Sequence, residues 1–343
     1  MNKPTLSVLM PNYNHSRYLT DAITAIATQS FRPTEFIIVD DCSTDNSAAI
    51  IQSLAGKYDF IRFIRNEKNK GALQNAKMLL EIAKGEYVYF AAADDLALPG
   101  FLEKSMGLLS KYPQAALCAC QSLYIDEDGN NKGIFPGQIK TRMEFISPEY
   151  FARTLTPGTP RLHDEWFMGN TTIYRKKALI DEGGFLDAMG SYTDGFVSHI
   201  LAIRHGACYV SEPLACWRIL NTGISLTSLS NLDVRSEIIC NAVREMLTNH
   251  ADIFPRAYVE EWERRQKWNA ARMAWRKSLH ENIQSIRTKY PARQLSGKLC
   301  AGILISVSFL KFAFPFILLA VSYGATARRW MWRKFISILK RDN

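Results

Sequence analysis

Residues 35–46 read EFIIVDDCSTDN, and this stretch decides the fold. Its first five residues are mostly apolar and β-branched, and they have the length of a buried strand. The run ends at Asp40-Asp41 and continues into Ser, Thr, Asp and Asn, the residue types that begin helices. The stretch therefore predicts a strand, a polar turn and a helix in succession, which is the repeating unit of a parallel sheet.

Similar units occur on both sides of this stretch. Helix-like periodic segments begin near Tyr18, Ser47, Gly71 and Pro99. Short apolar runs separated by helices are typical of a parallel sheet that is covered on both faces. The sequence therefore predicts an α/β fold, with a doubly wound, mostly parallel sheet and helices on both faces. The predicted strands are Leu6–Met10, Glu35–Val39, Ile61–Arg65, Tyr87–Ala91 and Ala115–Cys120.

The pattern changes after residue 120. Turn signals between Glu127 and Asp164 predict loops over the carboxyl edge of the sheet, where ligands usually bind. Shorter strand-like and helix-like segments follow as far as Ile219. The stretch 221–231, NTGISLTSLSN, is rich in Ser, Thr and Asn and favours a domain boundary near residue 225. The chain beyond it is predicted to be helical.

The loop Pro11–Asn14 leaves the first strand where a dinucleotide-binding fold needs glycines close to the pyrophosphate. No glycine occurs between Met1 and Ile51. This composition argues against a nicotinamide-dependent dehydrogenase. A doubly wound sheet still predicts ligand binding at the carboxyl ends of its strands.

The acidic pair Asp40-Asp41 ends the second predicted strand. A carboxylate there can accept hydrogen bonds from a ribose hydroxyl or a base N–H. Alternatively, the polar residues of this turn cap the following helix, and capping is the stronger expectation for Asp45 and Asn46.

A second acidic pair, Asp94-Asp95, follows the strand Tyr87–Ala91. Adjacent carboxylates repel each other, unless a hard divalent cation with oxygen ligands lies between them and a phosphate. Such a cation would neutralise a diphosphate leaving group. The alternative interpretation is a helix N-cap, because Asp-Asp alone is a weak motif.

Together, these segments closely resemble the inverting family 2 glycosyltransferases with the GT-A nucleotide-sugar-binding fold. The resemblance covers about residues 5 to 220. The matching segments, in order, are SVLMPNYN (7–14), EFIIVDDCSTD (35–45), NKG (69–71), KGEY (84–87), DD (94–95), GGF (183–185), TD (193–194) and WR (217–218).

The resemblance implies roles for five residues at the donor side. Pro11, Tyr13 and Asp40 would contact the nucleotide base or ribose of a nucleotide-sugar donor. Asp94 and Asp95 would serve the ribose and a metal ion, Mn²⁺ or Mg²⁺, with Asp95 expected to be the direct ligand.

The resemblance also implies that Asp194 is the general base. The alternative interpretation of Asp194 is an N-cap of the following helix, a role that can coexist with catalysis. If Asp194 is not the base, Asp187 is the next candidate. Three positions depart from the family pattern. Ala92 stands where an Asp is common, Thr193 stands where Glu usually precedes the base, and 75–77 read NAK where ARN is common. The last departure weakens the expectation of a further nucleotide contact near residue 76.

The implied reaction is transfer of a single sugar to an acceptor hydroxyl with inversion at the anomeric carbon. Residues 1–120 would then bind the donor and residues 121–225 the acceptor, with 226–296 as a helical linker. Two alternatives remain open, a polyprenyl-phosphate sugar transferase and a catalytically silent nucleotide-sugar-binding protein held at a membrane. The Q-x-x-R-W signature of processive polysaccharide synthases is absent.

The net charge of +9 is unevenly distributed along the chain. Residues 1–250 sum to −3 and residues 251–343 to +12. Seven scattered cysteines without a C-x-x-C pair suggest a reducing compartment. The N-terminus shows no signal-peptide pattern, so we expect the catalytic part in the cytoplasm.

The C-terminal part, 297–343, is predicted to associate with a membrane. Residues 255–290 have the pattern of one long helix, and residues 299–323 form an apolar stretch long enough to span a bilayer. Lys311 and Pro315 interrupt it, and the basic segment 328–334 follows it. These features favour a monotopic arrangement on anionic lipid at the cytoplasmic face, with a single span or a soluble buried helix as alternatives. The adjacent apolar stretch argues against nucleic acid as the partner of the positive charge.

Overall fold

A computed structural model describes residues 4–135, 141–155, 167–220, 223, 228 and 231–289, with side chains as far as residue 273. In this part of the chain, the strands are β1 Leu6–Asn12, β2 Glu35–Asp40, β3 Ile61–Arg65, β4 Tyr87–Phe90, β5 Leu96–Ala97, β6 Leu117–Ile125, β7 Asn131–Ile134, β8 Phe145–Ile146, β9 Thr172–Arg175 and β10 Ala207–Arg218. The α-helices are α1 Ser16–Ala27, α2 Ser47–Lys57, α3 Ala72–Ile82, α4 Phe101–Lys111, α5 Pro148–Thr154, α6 Lys176–Asp181, α7 Thr193–His205, α8 Leu232–Thr248 and α9 Arg256–Lys289. Two short 3₁₀ helices cover Gly169–Thr171 and Asp187–Tyr192.

All the strands belong to one sheet, whose main order is β3-β2-β1-β4-β9-β6-β10-β5. The pairs among β3, β2, β1 and β4 are parallel, as predicted. In the second half, β9 lies antiparallel between β4 and β6, and β5, β7 and β8 pair in antiparallel fashion as well. The sheet is therefore mixed, whereas the sequence predicts a mostly parallel one. Apolar runs indicate that a strand is buried but not in which direction it runs.

Helices cover both faces of the sheet, as predicted. Leu9 and Ile37 face one apolar cluster, to which α3, α6 and α7 contribute. Val8 and Phe36 face the other cluster, which α1, α2 and α4 complete. Because successive side chains of a strand point to opposite faces, β1 and β2 supply both clusters.

A hydrogen-bond network fixes the amino ends of β1, β2 and β4. Ser7 Oγ donates to Glu35 Oε1 at 2.6 Å, and the backbone N–H of Gly85 donates to Ser7 Oγ at 2.8 Å. Gly85 approaches β1 so closely that a Cβ there would lie 2.5 Å from Ser7 N. The Lys-Gly-Glu-Tyr segment therefore needs its glycine for packing between the loop and the strand.

The first compact unit of the chain ends at Glu263, and the second contains residues 264–343. The predicted boundary at residue 225 lies inside the first unit. There α8 adds Ile239, Ala242 and Met246 to the apolar cluster of α7. Asn241 Nδ2 also donates to the carbonyl of Ala188, which lies in the segment before α7.

No helix in the described ranges is both long and apolar enough to cross a membrane. The predicted apolar stretch 299–323 and the basic segment 328–334 lie outside the described residues. Their association with a membrane stays a prediction.

Candidate active site

The carboxyl ends of β1, β2 and β4 place their loops along one edge of the sheet. At the end of β2, Asp40 is fully buried. Asn12 Nδ2 donates to Asp40 Oδ1 at 2.9 Å, the backbone N–H of Ser43 donates to Oδ2 at 3.1 Å, and Arg65 Nε lies 3.5 Å from Oδ2. Asp40 therefore holds the two loops together through both of its carboxylate oxygens.

Further contacts connect the β1–α1 loop with the β2–α2 loop. Asn14 N donates to Ser43 Oγ at 2.9 Å, and Thr44 N donates to Asn14 Oδ1 at 2.8 Å. Asn14 and Cys42 have φ angles of 57° and 62°, and they are the non-glycine residues with positive φ in the described part of the chain. Such backbone strain concentrates at functional sites, where the surrounding contacts stabilise it.

Asp45 caps the start of α2, as the capping interpretation predicts. Its carboxylate accepts the N–H groups of Ser47 and Ser16, both at 2.9 Å. Burial of the carboxyl opposes ionisation, but the hydrogen bonds from Ser47 and Ser16 prevail and lower its pKa to about 2. The side chain of Asn46, in contrast, makes no cap hydrogen bond.

Asp41 organises the loop before α3, a role that sequence reasoning missed. It accepts Asn66 Nδ2 at 2.8 Å and the backbone N–H groups of Lys70 and Gly71. Burial alone would raise the pKa of Asp41, but these hydrogen bonds outweigh burial, so the pKa lies below its usual value. The Asn-Lys-Gly segment is thus held in place by the carboxylate of the residue that directly follows β2.

The two remaining residues of the predicted nucleotide set lie beside this network. Pro11 is half-buried within β1, and Tyr13 is 44% exposed directly after it. The Tyr13 ring is therefore accessible for stacking against a planar ligand.

The acidic pair follows β4, and its two carboxylates have different surroundings. Asp95 is buried and accepts the backbone N–H of Arg218 at 2.7 Å, whereas Asp94 is partly exposed. Burial, together with the nearby Asp94 charge, raises the pKa of Asp95 well above its usual value. The geometry favours Asp94 for contact with a ligand, although the sequence predicts Asp95 as the direct metal ligand.

The Arg218 side chain holds the acidic loop through a backbone carbonyl. Its Nε donates to the carbonyl of Asp94 at 2.8 Å, and Nη1 donates to the carbonyls of Asp126 and Glu127 at 3.1 Å. Its guanidinium also lies over the Tyr18 ring, 4.6 Å from the centroid. Arg218 thereby ties α1, the acidic loop and the β6–β7 turn together, a role that the Trp-Arg motif alone does not reveal.

The described ranges contain no group of three His, Cys, Asp or Glu residues arranged to hold a metal ion. The ligands that the sequence predicts are the carboxylate oxygens of Asp94 and Asp95. Carboxylate oxygens suit Mn²⁺ or Mg²⁺, and such ions commonly complete their shells with substrate phosphates and water. The residues present fit a cation that binds together with a diphosphate.

Asp194 lies at the start of α7, at the same edge of the sheet. Gly169 N donates to Oδ2 at 3.0 Å, and Gly195 N donates to Oδ1 at 2.7 Å. Burial of the carboxyl raises its pKa above 3.8 despite these hydrogen bonds. Asp194 is therefore a positioned carboxylate with increased basicity, as a general base requires.

Asp187, the other candidate for the base, is engaged differently. Lys77 Nζ lies 2.8 Å from Asp187 Oδ2, and Gln74 Nε2 donates to Oδ1 at 3.2 Å. These contacts join α3 to the segment before α7. The Lys77 that replaces the usual asparagine thus has a structural partner in this chain.

The comparisons with known proteins agree with this geometry. The family model described as "Glycosyl transferase family 2" matches residues 7–180. The chain belongs to this family. The matched region contains the loops of Asp40 and Asp94, and it ends before Asp194.

Two curated relatives illustrate the sequence similarity. Glycosyltransferase GlyG of Streptococcus pneumoniae is 30% identical over 213 residues, which are 62% of this chain and 70% of GlyG. The uncharacterised glycosyltransferase MJ1057 of Methanocaldococcus jannaschii is 34% identical over 158 residues, which are 46% of this chain and 54% of MJ1057. The match thus spans only about half the length of MJ1057.

Two solved structures share the fold. S. aureus TarS 1–349 in complex with UDP-GlcNAc has a TM-score of 0.56 at 20% identity, covering 71% of this chain and 67% of TarS. The mannosyltransferase PcManGT of Pyrobaculum calidifontis, in complex with GDP-Man and Mn²⁺, has a TM-score of 0.53 at 16% identity, covering 94% and 87%. At these identities the similarity establishes a GT-A-like α/β fold.

Proposed function

We propose that this glycosyltransferase is metal-dependent and inverting, and that it transfers one sugar from a nucleotide-sugar donor to an acceptor hydroxyl. The observation that carries the proposal is Asp194, a partly buried carboxylate with a raised pKa that backbone N–H groups hold in place. Membership of the family and the nucleotide sugars bound by TarS and PcManGT support the donor class.

The donor nucleotide binds at the joined loops of β1 and β2. The exposed ring of Tyr13 stacks on the nucleotide base, and Pro11 lies beside the same site. Asp40 acts through the loops that it holds, because Asn12 and Ser43 already occupy its oxygens. For a nucleotide N–H or hydroxyl to donate to Asp40, the fully buried carboxylate would first have to become accessible.

The diphosphate of the donor lies near Asp94. When bound there, Mn²⁺ or Mg²⁺ supplies positive charge that neutralises the leaving diphosphate. Asp94 is the direct ligand in this proposal, because Asp95 is buried and bonded to the Arg218 backbone. Asp95 and Arg218 position Asp94 through the backbone of the loop.

Transfer proceeds by a single displacement. Asp194 accepts the proton of the acceptor hydroxyl as that oxygen bonds to the anomeric carbon. The bond from this carbon to the diphosphate breaks at the same time, and its electron pair leaves with the nucleoside diphosphate. Attack from the side opposite the leaving group inverts the anomeric configuration.

The acceptor is proposed to be a lipid-linked saccharide or a surface-polysaccharide precursor at the cytoplasmic membrane face. This part rests on the basic and apolar composition of residues 297–343. Transfer to polyprenyl phosphate would give the same donor chemistry with a phosphate acceptor. A silent binding protein would bind the donor and release no nucleoside diphosphate.

A donor screen tests the proposal. The full chain is incubated with nucleotide sugars and Mn²⁺ or Mg²⁺, and release of nucleoside diphosphate is measured with and without chelator. The anomeric configuration of the product is read by NMR. We expect release to depend on the metal and the product to be inverted. Binding without turnover for every donor and acceptor would support the silent alternative, and a retained configuration would contradict the mechanism.

A further inference from the structure

Two consecutive residues connect the proposed base to the donor side. Gly169 N donates to Asp194, and the hydroxyl of Tyr89 donates to the carbonyl of Asn170 at 3.0 Å. Tyr89 belongs to β4, the strand that leads into the acidic loop. Gly169 and Asn170 are therefore attached to both sides of the site.

The side-chain amide of Asn170 is unusual because it makes no hydrogen bond of good geometry with the described residues. The residue is 9% exposed, and both Oδ1 and Nδ2 are buried without a partner among the described residues. The amide lies close enough to Asp95 to oppose the rise of its pKa, yet it forms no hydrogen bond of good geometry there. Buried polar atoms are rarely left unpaired in proteins, and they frequently mark a functional role.

The chemistry of an amide selects the partner. Asn170 offers two N–H donors and one carbonyl acceptor, so it matches a hydroxyl group, which both donates and accepts. Phosphate oxygens only accept, and a cation would use only the carbonyl oxygen. In a single displacement, the transferred sugar must lie between the diphosphate at Asp94 and the base Asp194. The Gly169–Asn170 backbone connects these two regions.

We propose that Asn170 hydrogen bonds to a hydroxyl of the transferred sugar and contributes to the choice of donor. The inference rests on the proposed function. Protein atoms enclose both polar atoms of the amide, so the proposal requires the side chain to turn toward the sugar when the donor binds. The bound sugar then supplies the partner that the amide otherwise lacks.

Binding measurements separate the sugar from the rest of the donor. The full chain, Asn170→Ala and the exposed control Asn249→Ala are titrated with a nucleotide sugar and with its nucleoside diphosphate, both in Mn²⁺. We expect Asn170→Ala to weaken binding of the nucleotide sugar about tenfold, the effect of about one lost hydrogen bond. Affinity for the nucleoside diphosphate should not change, and Asn249→Ala should resemble the wild type in both titrations.

Donor analogues locate the hydroxyl. Deoxy donors lacking one sugar hydroxyl at a time should include one that the wild type binds about tenfold more weakly, while Asn170→Ala binds it as it binds the complete donor. Asn170→Ser, which keeps a smaller hydrogen-bonding group, is measured in parallel in case the alanine variant does not fold.

The outcomes distinguish the inference from the proposed function. Equal weakening of both ligands would show that Asn170 supports the acidic loop, and no weakening of either would show that it has no role in binding. Each result overturns the inference alone. A wild-type chain that binds neither nucleotide sugar nor nucleoside diphosphate would overturn the proposed function itself.

Discussion

The backbone N–H of Gly169 donates a 3.0 Å hydrogen bond to Asp194 Oδ2, and the space at Gly169 excludes a side chain. A Cβ built on this glycine would overlap the Asp194 carboxyl group. The Asp194 carboxylate, the proposed base, is therefore oriented by a backbone donor that approaches it closely because residue 169 is glycine. The geometry suggests that a change at residue 169 would act on the reaction through Asp194.

We expect Gly169→Ala to lower turnover by about 10²-fold, the lower end of the usual contribution of a general base. The added methyl group would displace the carboxyl group of Asp194 from its position. Affinity for the nucleoside diphosphate should be retained, because the proposed diphosphate site is at Asp94. Gly107→Ala is the matched control, since a Cβ in that helix meets nothing within 4 Å. Equal turnover in the two variants would contradict the role of Gly169.

Asp194→Asn should retain donor binding and lower turnover by at least ~10²-fold. The pH dependence is a second readout. Because the pKa of Asp194 is raised above 3.8, activity in the wild type should increase with pH through that raised pKa, where the base loses its proton. The variant should lack this acidic limb in a plot of kcat/KM against pH. Wild-type turnover in Asp194→Asn would place the base elsewhere.

The two carboxylates of the acidic loop should respond differently to mutation. Asp94→Ala should abolish metal-dependent nucleotide binding with little change in Tm, because Asp94 is partly exposed. Asp95→Ala should lower the free energy of unfolding by about 1–3 kcal/mol, since it leaves the buried Arg218 N–H unpaired. Calorimetric titration with Mn²⁺ and nucleoside diphosphate, with thermal melts, checks both. A stable Asp95→Ala protein that has lost metal-dependent binding would restore Asp95 as the direct ligand.

Gly85→Ala should destabilise the fold without touching the site. A Cβ there would lie 2.5 Å from Ser7 N and 2.7 Å from Tyr87 O, and backbone atoms cannot move as a flexible side chain does. We expect a loss of about 3 kcal/mol in the free energy of unfolding, measured by urea denaturation. Gly56→Ala, in α2 with nothing within 4 Å, should cause no loss. Similar curves for the two variants would show that β1 and β4 adjust to the methyl group.

The sequence predicts the first half of the fold well. Each strand there is an apolar run of five residues or so, and the observed β3, Ile61–Arg65, has the predicted bounds. The second half is less predictable, because strand direction depends on partners distant in the chain. The sequence shows two separate strand-like segments, Ala207–Val210 and Leu214–Ile219. In the structure, one strand, Ala207–Arg218, covers both except Ile219, and its register shifts on both sides of Pro213.

The site is predictable to the level of motifs but not of contacts. The sequence places Asp40, Asp94 and Asp194 at strand or helix ends, and the structure brings their loops to one edge of the sheet. The sequence does not reveal that Arg218 holds the Asp94 carbonyl, or that Asn170 lies near Asp95, because these pairs are far apart in the chain. No local sequence pattern marks such contacts. They form because β9 lies antiparallel between β4 and β6, and because β10 pairs with β6.

The full chain is expected to bind vesicles that contain anionic lipid. The charge of +12 in residues 251–343 motivates this, since each basic residue near an anionic surface contributes about 1 kcal/mol. Salt screens this attraction but does not weaken the insertion of apolar residues. A C-terminal part that binds in a monotopic arrangement should therefore be released partly by salt and fully only by detergent. Flotation measures binding, and neutral vesicles are the control.

In sealed vesicles with the catalytic domain outside, protease should remove a tag after Asn343. A protected tag would indicate a single span.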